Sequence, residues 1–228
     1  MIKLLVRGSL VTLIVSVSVA AQDAAGLREA LDRAARWESY QATLEEIVEE
    51  ESDGQGQSST DRFEFVFERD KGLSVKQGRK LKISVGAKSV SQNRDGAWKL
   101  GKAGSGDKAP HLVFEGLGST LADISSARED KNTVYTATPD LTGATALLAG
   151  NFKDVTSKGV EPELKCSAKI TVDGDGAIIK VVLTCSAVRK SKSSETSVRV
   201  TRTLAFSNLN ATKLQIPEEA NHLLTGGQ

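Results

Sequence analysis

Side chains that could perform chemistry are few and scattered in this chain of 228 residues. The two histidines, His111 and His222, lie far apart in sequence, and neither has a His, Cys or carboxylate pattern with metal-ligand spacing. We interpret them as two unrelated surface residues and expect no metal site. The sequence also lacks a Gly-x-Ser-x-Gly elbow and a Walker-type phosphate loop. A hydrolase with a scattered site is therefore the least favoured function, and we expect neither enzymatic activity nor a cofactor.

The segment Asp173-Gly174-Asp175-Gly176 resembles the start of a calcium loop, but the further oxygen ligands and the closing Glu of an EF-hand do not follow. A hairpin turn is the better interpretation. If Asp175 and Gly176 form a two-residue type I′ turn, the flanking strands have a defined antiparallel register. The cross-strand pairs on one face are then all apolar: Val172/Ile179, Ile170/Val181, Ala168/Leu183 and Cys166/Cys185.

That register places the two cysteines of the chain, Cys166 and Cys185, directly opposite each other. Opposite residues in an antiparallel pair lie about 5 Å apart at Cα, which is within disulfide range. Disulfides form and persist in exported proteins. We therefore expect a Cys166–Cys185 disulfide, with two buried thiols as the alternative.

The N-terminus has the pattern of a secretory signal peptide. Lys3 and Arg7 precede an apolar stretch from Leu10 to Val19, and small residues follow at a cleavage site near Ala21. A membrane-anchoring helix is disfavoured because a span needs about 20 predominantly apolar residues. We expect residues 1–21 to be a signal peptide and residues 22–228 to form a single domain. No Cys follows the cleavage site, so the mature protein is expected to be periplasmic, soluble and not lipidated, without stable membrane insertion.

The charge balance disfavours two classes of partner. Removal of residues 1–21 takes away two basic residues and no acidic ones, which leaves a net charge of −1. Nucleic acid and anionic membrane surfaces attract strongly basic proteins, so neither is an expected partner. We expect a monomer.

The first elements after the signal are an amphipathic helix and a strand. Asp23 to Arg36 carries apolar residues at helical spacing, with Asp23 available as N-cap. The next stretch, Tyr40 to Val48, fits both a helix and a strand. Five glutamates between Glu45 and Glu51 would crowd the negative end of a long helix, so we predict a strand from about Ser39.

Short strands dominate the rest of the first half. After a polar turn from Ser52 to Thr60, Phe63, Phe65 and Phe67 alternate with polar residues, and an antiparallel meander follows to Leu100. We interpret Gly101 to Pro110 as a flexible lid hinge. From Pro110 onwards the pattern suggests a helix broken by Gly116 and Gly118, which would contain Leu121 and Ile124. A strand at Thr133 to Thr138 and a short helix at Thr142 to Leu148 follow.

The last predicted strands also alternate. Val198 to Phe206 forms a strand in which Arg202 interrupts an apolar face, and Arg202 is either a residue at the rim or one with a role in a cavity; we favour the rim. Leu214 and Ile216 are expected to close the sheet before Pro217. A basic cluster from Arg189 to Lys192 is interpreted as a solvated hairpin tip.

This order of elements resembles the periplasmic lipoprotein-carrier family with the LolA/LolB-like fold. The passages that carry the resemblance are Asp23 to Leu44, Phe63 to Val75 with Gln92 to Trp98, and Phe206 to Pro217. The resemblance implies an α+β, mainly β fold, in which an incomplete antiparallel β-barrel (a half-barrel) wraps around a few short helices and a hydrophobic cavity. The residues expected to line or border that cavity are Phe63, Phe65, Phe67, Leu81, Ile83 and Trp98.

The resemblance also implies a function. A carrier of this family holds the acyl chains of a lipoprotein or a lipid, so we expect a lipid or an acylated lipoprotein as partner. A functionally important Arg of the carrier, which helps to hold the cavity shut, matches Arg69 by position, although Asp70 stands where the family commonly has Pro. The alternative is that Arg69 is an exposed turn residue. The alternative is an envelope sensory or regulatory module that recognises a protein partner, because the same fold serves in an envelope-stress regulator.

Overall fold

A computed structural model describes residues 21–52, 54–93, 95–104, 108–140, 142–144, 163–190 and 195–226. Four predicted features lie outside these residues: the signal peptide, the centre of the lid hinge, most of the helix at Thr142 to Leu148, and the end of the basic cluster.

Residues 21–34 form a helix, α1. The strands are β1 (Ser39–Ser52), β2 (Gln55–Glu68), β3 (Gly72–Gln77), β4 (Lys80–Val85), β5 (Lys88–Gln92), β6 (Trp98–Lys102), β7 (Leu121–Glu129), β8 (Asn132–Pro139), β9 (Glu163–Val172), β10 (Ile178–Lys190) and β11 (Glu195–Ser207). Two 3₁₀ segments, Pro110–Phe114 and Leu117–Ser119, precede β7, and α2 (Glu218–Thr225) ends the described chain.

The eleven strands of the described residues form one antiparallel, unclosed sheet. Its order is β6-β5-β4-β3-β2-β1-β11-β10-β9-β8-β7, so the first strand pairs with the last and joins two meanders. We call the face that packs against α1 the inner face; its core includes Tyr40, Ile170 and Leu183. The predicted half-barrel around short helices is confirmed.

Helix α1 lies close against the inner face over β7 and β8. Leu27, Leu31 and Ala34 are buried, as their spacing predicted. A Cβ at Gly26 would lie 2.7 Å from the Tyr135 hydroxyl, so a larger residue here would displace the Tyr135 side chain. Asp23 is not the N-cap, because helical residues precede it. Its carboxylate instead accepts hydrogen bonds from the backbone N–H (3.1 Å) and hydroxyl (2.7 Å) of Ser126 in β7.

The β1–β2 hairpin is longer than predicted. Strand β1 begins at Ser39 as expected, but Ser52 pairs with Gln55, so the predicted turn from Ser52 to Thr60 is wrong. Residues 55–60 are polar and exposed on both faces. Such a segment shows no apolar alternation, which is why its strand could not be recognised from the pattern.

The region after Pro110 also differs from its prediction. The expected broken helix is replaced by the two 3₁₀ segments, and Leu121 and Ile124 lie in β7. Gly116 has a φ of 77° at the start of the second segment, a left-handed conformation that interrupts a helix. The strand at Thr133 to Thr138 is confirmed within β8.

The β9–β10 hairpin keeps the predicted register except beside its turn. Ile170/Val181, Ala168/Leu183 and Cys166/Cys185 are paired, but Val172 pairs with Ile178 rather than Ile179 because of a bulge. The turn is not a two-residue type I′ turn: of its residues only Gly176 has positive φ (79°), and the Gly176 N–H donates to the Asp173 carbonyl. A three-residue loop with glycine in the left-handed position therefore replaces the predicted turn.

The C-terminal segment does not add a strand. Leu214 and Ile216 were expected to close the sheet, but both long edges of β1 are already paired, with β2 and β11. The Leu214 N–H donates instead to the Glu68 carboxylate at 2.8 Å. Beyond Pro217, α2 packs on the outer face of the sheet, where Ala220 and Leu224 contact Ile83 and Val90.

The predicted disulfide is confirmed. Cys166 and Cys185 are bonded across β9 and β10, with 4.2 Å between their Cα atoms.

We predict that the double variant Cys166→Ala/Cys185→Ala unfolds with about 3 kcal/mol less free energy than the oxidised protein, because the unfolded chain loses a loop constraint. Urea unfolding monitored by circular dichroism measures the difference. Reductant should lower the stability of the wild type towards that of the variant and leave the variant unchanged. Equal stability of both proteins without reductant would contradict the prediction.

Candidate functional site

An aromatic cluster closes one end of the inner face. Tyr40 at the start of β1 packs edge-on against Trp37 and Phe206, with ring centroids 5.7 and 5.4 Å away. Phe114 from the first 3₁₀ segment contacts Trp37 and Phe206 as well. Edge-to-face packing of this kind stabilises beyond the area that it buries. The cluster fixes the entry of the chain into β1 and the position of the 3₁₀ segment above it.

His111 lies inside this cluster, so its interpretation as a surface residue is wrong. It is 1% exposed, and its Nδ1 shares a hydrogen bond of 3.1 Å with the Tyr40 hydroxyl. Its ring packs against the Phe67 ring at a tilt of 48°, with 4.6 Å between the ring centroids. Burial, with a contribution from the nearby Arg69 guanidinium, lowers the pKa of His111 to about 4. Burial raises the pKa of Tyr40, so both partners are neutral at pH 7. The feature of the sequence that could have indicated the burial of His111 is the apolar run that follows it after Pro110. His222, in contrast, is exposed on α2, as expected of a surface residue.

Arg69 lies at the same end of the sheet, just after β2. Its Nη2 donates to the Trp37 carbonyl at 3.0 Å, and its Nε lies 3.1 Å from the Glu38 carboxylate. The backbone N–H of Arg69 also donates to the Glu38 carbonyl at 2.7 Å. Arg69 thus ties the end of β2 to the segment that leads into β1.

The six predicted cavity residues do not share a face. Phe63, Phe65 and Phe67 pair with Leu44, Ala42 and Tyr40, so they lie on the inner face. The register continued through β3 and β4 places Leu81 and Ile83 on the outer face, and Trp98 follows through β5 and β6. Ile83 and Trp98 pack in the cluster beneath α2. The prediction that all six border one cavity is therefore corrected: the structure brings only the three phenylalanines together on the inner face.

Beyond the aromatic cluster, the inner face carries a strip of half-buried apolar side chains. We call this the inner strip; its members are Leu44, Phe63, Phe65 and Leu204. Leu44 lies between Phe63 and Leu204 on neighbouring strands. The rings of Phe63 and Phe65 are 6.3 Å apart between centroids. This surface offers apolar contact without any group that could attack a substrate.

Two charged residues follow directly after the inner strip. Glu46 and Arg202 are 8% and 9% exposed, lie opposite each other on β1 and β11, and form an ion pair. Arg202 is therefore not a rim residue. Sequence reasoning missed Glu46 because it is one of five similar glutamates, and only the pairing of distant strands places it opposite Arg202.

The described residues offer little for other chemistry. No group of three or more His, Cys, Asp or Glu side chains among them is arranged to hold a metal ion. Within the same part of the chain, no helix is sufficiently long and apolar to cross a membrane.

The geometry defines a class of fold: an open antiparallel half-barrel with an apolar inner face. Among solved structures the chain is similar to LprF from Mycobacterium bovis, with 10% identity over 88% of this chain and 98% of that one, and a TM-score of 0.54. A LolA superfamily protein from Nitrosomonas europaea matches with 9% identity over 84% of this chain and 94% of that one, and a TM-score of 0.31. No protein-family model and no curated protein sequence matches the chain. The similarity to LprF supports the half-barrel fold.

We predict that His111 makes the stability of the protein depend on pH. Its folded pKa of about 4 is below the value of 6.5 in the unfolded chain, so the stabilisation is complete above pH 6.5 and is lost as the pH falls towards 4. The full loss is about 3 kcal/mol. The difference in unfolding free energy between the wild type and His111→Gln, measured in urea at several pH values, should narrow by this amount.

The matched control is Val113→Ala in the same 3₁₀ segment, which removes apolar contact with the core but no titratable group. Its difference from the wild type should stay constant over the same pH range. A constant difference for His111→Gln would contradict the prediction, because it would mean that the pKa of His111 is the same in the folded and the unfolded protein.

Proposed function

We propose that this protein is an exported, periplasmic, non-catalytic carrier that binds the acyl chains of a lipid or of an acylated lipoprotein on its inner face. The observation that supports this most directly is the inner strip, where Leu44, Phe63, Phe65 and Leu204 form a half-buried apolar surface on an open sheet. Burial of each methylene contributes about 0.8 kcal/mol. About ten methylenes therefore contribute a free energy close to the binding free energy of a micromolar complex, before the cost of ordering the chain is subtracted.

The aromatic cluster supports the proposal because it bounds the inner strip at one end. Tyr40, Phe114 and Phe206 are fully packed against one another, so they form a rigid wall rather than a site. An acyl chain on the inner strip would end against that wall. In this proposal Arg69 keeps the wall closed, because it holds the Trp37–Glu38 segment against the end of β2.

We predict that Phe63→Ala weakens binding of a fluorescent hexadecanoyl probe by about tenfold, because one large apolar side chain contributes about 1.5 kcal/mol or more when it is covered. Phe63 is half-buried and belongs to neither buried core cluster, so the protein should remain folded. Fluorescence titration measures the affinity, and circular dichroism checks the fold.

The control is Val66→Ala on the same strand, where the side chain points to the outer face. It should bind the probe like the wild type. Equal losses in both variants would exclude the inner face as the site, and a wild type that binds no probe would refute the proposed function.

A further inference from the structure

Charge is separated between two neighbouring parts of the sheet. Strands β1 and β2 carry eight acidic residues and one basic residue, Arg62. Strands β3 to β6 carry six lysines and no acidic residue. The net charge of the chain averages these two parts, so it conceals an electropositive surface beside the acidic β1–β2 hairpin.

Two of the lysines flank a serine on the inner face. The register runs across the sheet with one residue on each strand from β2 to β6: Phe65, Val75, Lys82, Ser91 and Lys99. Phe65 and Val75 are apolar and half-buried, whereas Ser91 and Lys99 are exposed. We call Lys82, Ser91 and Lys99 the lysine row. The inner strip therefore leads through Val75 to a row of hydrogen-bond donors.

A further lysine lies beside this row. Lys80 is two residues before Lys82 on β4, so it lies on the same face and is exposed. The outer-face lysine Lys76 forms an ion pair of 3.0 Å with Glu64. Lys80 and Lys99, in contrast, have no carboxylate partner among the described residues. Their charges are therefore available to an anion that lies on the inner face.

Carboxylates lie towards the tip of the β1–β2 hairpin on the same face. Glu50 and Asp61 accept hydrogen bonds of 2.8 and 2.9 Å from Gln57 and Gln77, respectively. An anionic group is repelled by these carboxylates and attracted by the lysine row. A lipid with an anionic headgroup therefore has one favourable orientation on the inner face.

We infer that Lys80 and the lysine row bind the phosphate of a phospholipid-type headgroup while the acyl chain of the same lipid lies on the inner strip. This inference rests on the proposed function. Neighbouring strands are about 4.8 Å apart, so the row spans about 10 Å and lysine amines on both sides can approach one phosphate above Ser91. Ammonium groups bind phosphate through charge-assisted hydrogen bonds, and the serine hydroxyl adds a neutral donor. The acylated cysteine of a lipoprotein carries no phosphate, so a phospholipid is the favoured ligand.

Two lipids that differ only in the phosphate test this inference: 1-dodecanoyl-glycerol 3-phosphate and 1-dodecanoyl-glycerol. Titration calorimetry below the critical micelle concentration of each lipid gives the ratio of the two affinities. The wild type should bind the phosphorylated lipid about tenfold more tightly, because several exposed ion pairs each contribute modestly. This preference should decrease as the salt concentration is raised, because salt screens exposed charges.

Variants of the exposed lysines assign the preference to the inner face. Lys80→Gln/Lys99→Gln should reduce the preference to about twofold or less, and Lys80→Glu/Lys99→Glu should reverse it in favour of the neutral lipid. The matched control is Lys76→Gln/Lys102→Gln, which makes the same change of charge on the outer face and should keep the wild-type preference. Phe63→Ala should weaken the binding of both lipids equally and leave their ratio unchanged.

The outcomes separate the two proposals. If the wild type binds both lipids equally, or if the outer-face control loses the preference as fully as the inner-face variants, the inference about the lysines is wrong and the proposed function stands. If glycerol 3-phosphate without an acyl chain binds as tightly as the acylated molecule, the lysines bind a soluble phosphate and the inference is again wrong. Binding of the neutral lipid tests the proposed function by itself. If the wild type binds neither lipid, the proposed function fails and the inference fails with it.

Discussion

The structure depends on the pairing of the first strand with the last. β1 and β11 run antiparallel from Gln41↔Ser207 to Ser52↔Thr196, and this ladder joins the β2–β6 meander to the β7–β10 meander. Without it the two meanders would be separate sheets. The same register places Glu46 opposite Arg202 and Ala42 opposite Phe206. The ion pair and the aromatic cluster therefore both require contacts between residues that are about 160 positions apart in sequence.

The two faces of the sheet pack against different elements of the chain. The inner face holds α1 and the aromatic cluster at one end, and the half-buried inner strip beside it. The outer face of β4 and β5 is covered by α2, which Lys88 fastens through a hydrogen bond of 2.7 Å to the Leu224 carbonyl. Ile83, Val90 and Trp98 on the outer face thus have a structural partner within the chain, whereas Leu100 beside them is exposed. The inner strip is covered less completely, and this difference is the basis of the proposed function.

Local patterns were sufficient for part of the fold. Alternation predicted most strands, and one hairpin register predicted the disulfide, because both depend on neighbouring residues. The face of Leu81, Ile83 and Trp98 could not be predicted, since each turn length changes which alternate residues point inward. The burial of His111 and the pairing of Arg202 also required distant partners, Tyr40 and Glu46. Sequence reasoning therefore predicted the aromatic strand of the candidate site, but it did not predict the ion pair between Glu46 and Arg202.

The central claim is that the inner face holds acyl chains. Native mass spectrometry of the protein purified from its own host, followed by organic extraction of any bound species, tests it most directly. We expect an added mass that is released on extraction as one or more acyl-bearing molecules, and a lower occupancy for Phe63→Ala. A protein that has only the mass of its own chain, and that remains empty after incubation with lipid, would show that the inner face does not hold acyl chains.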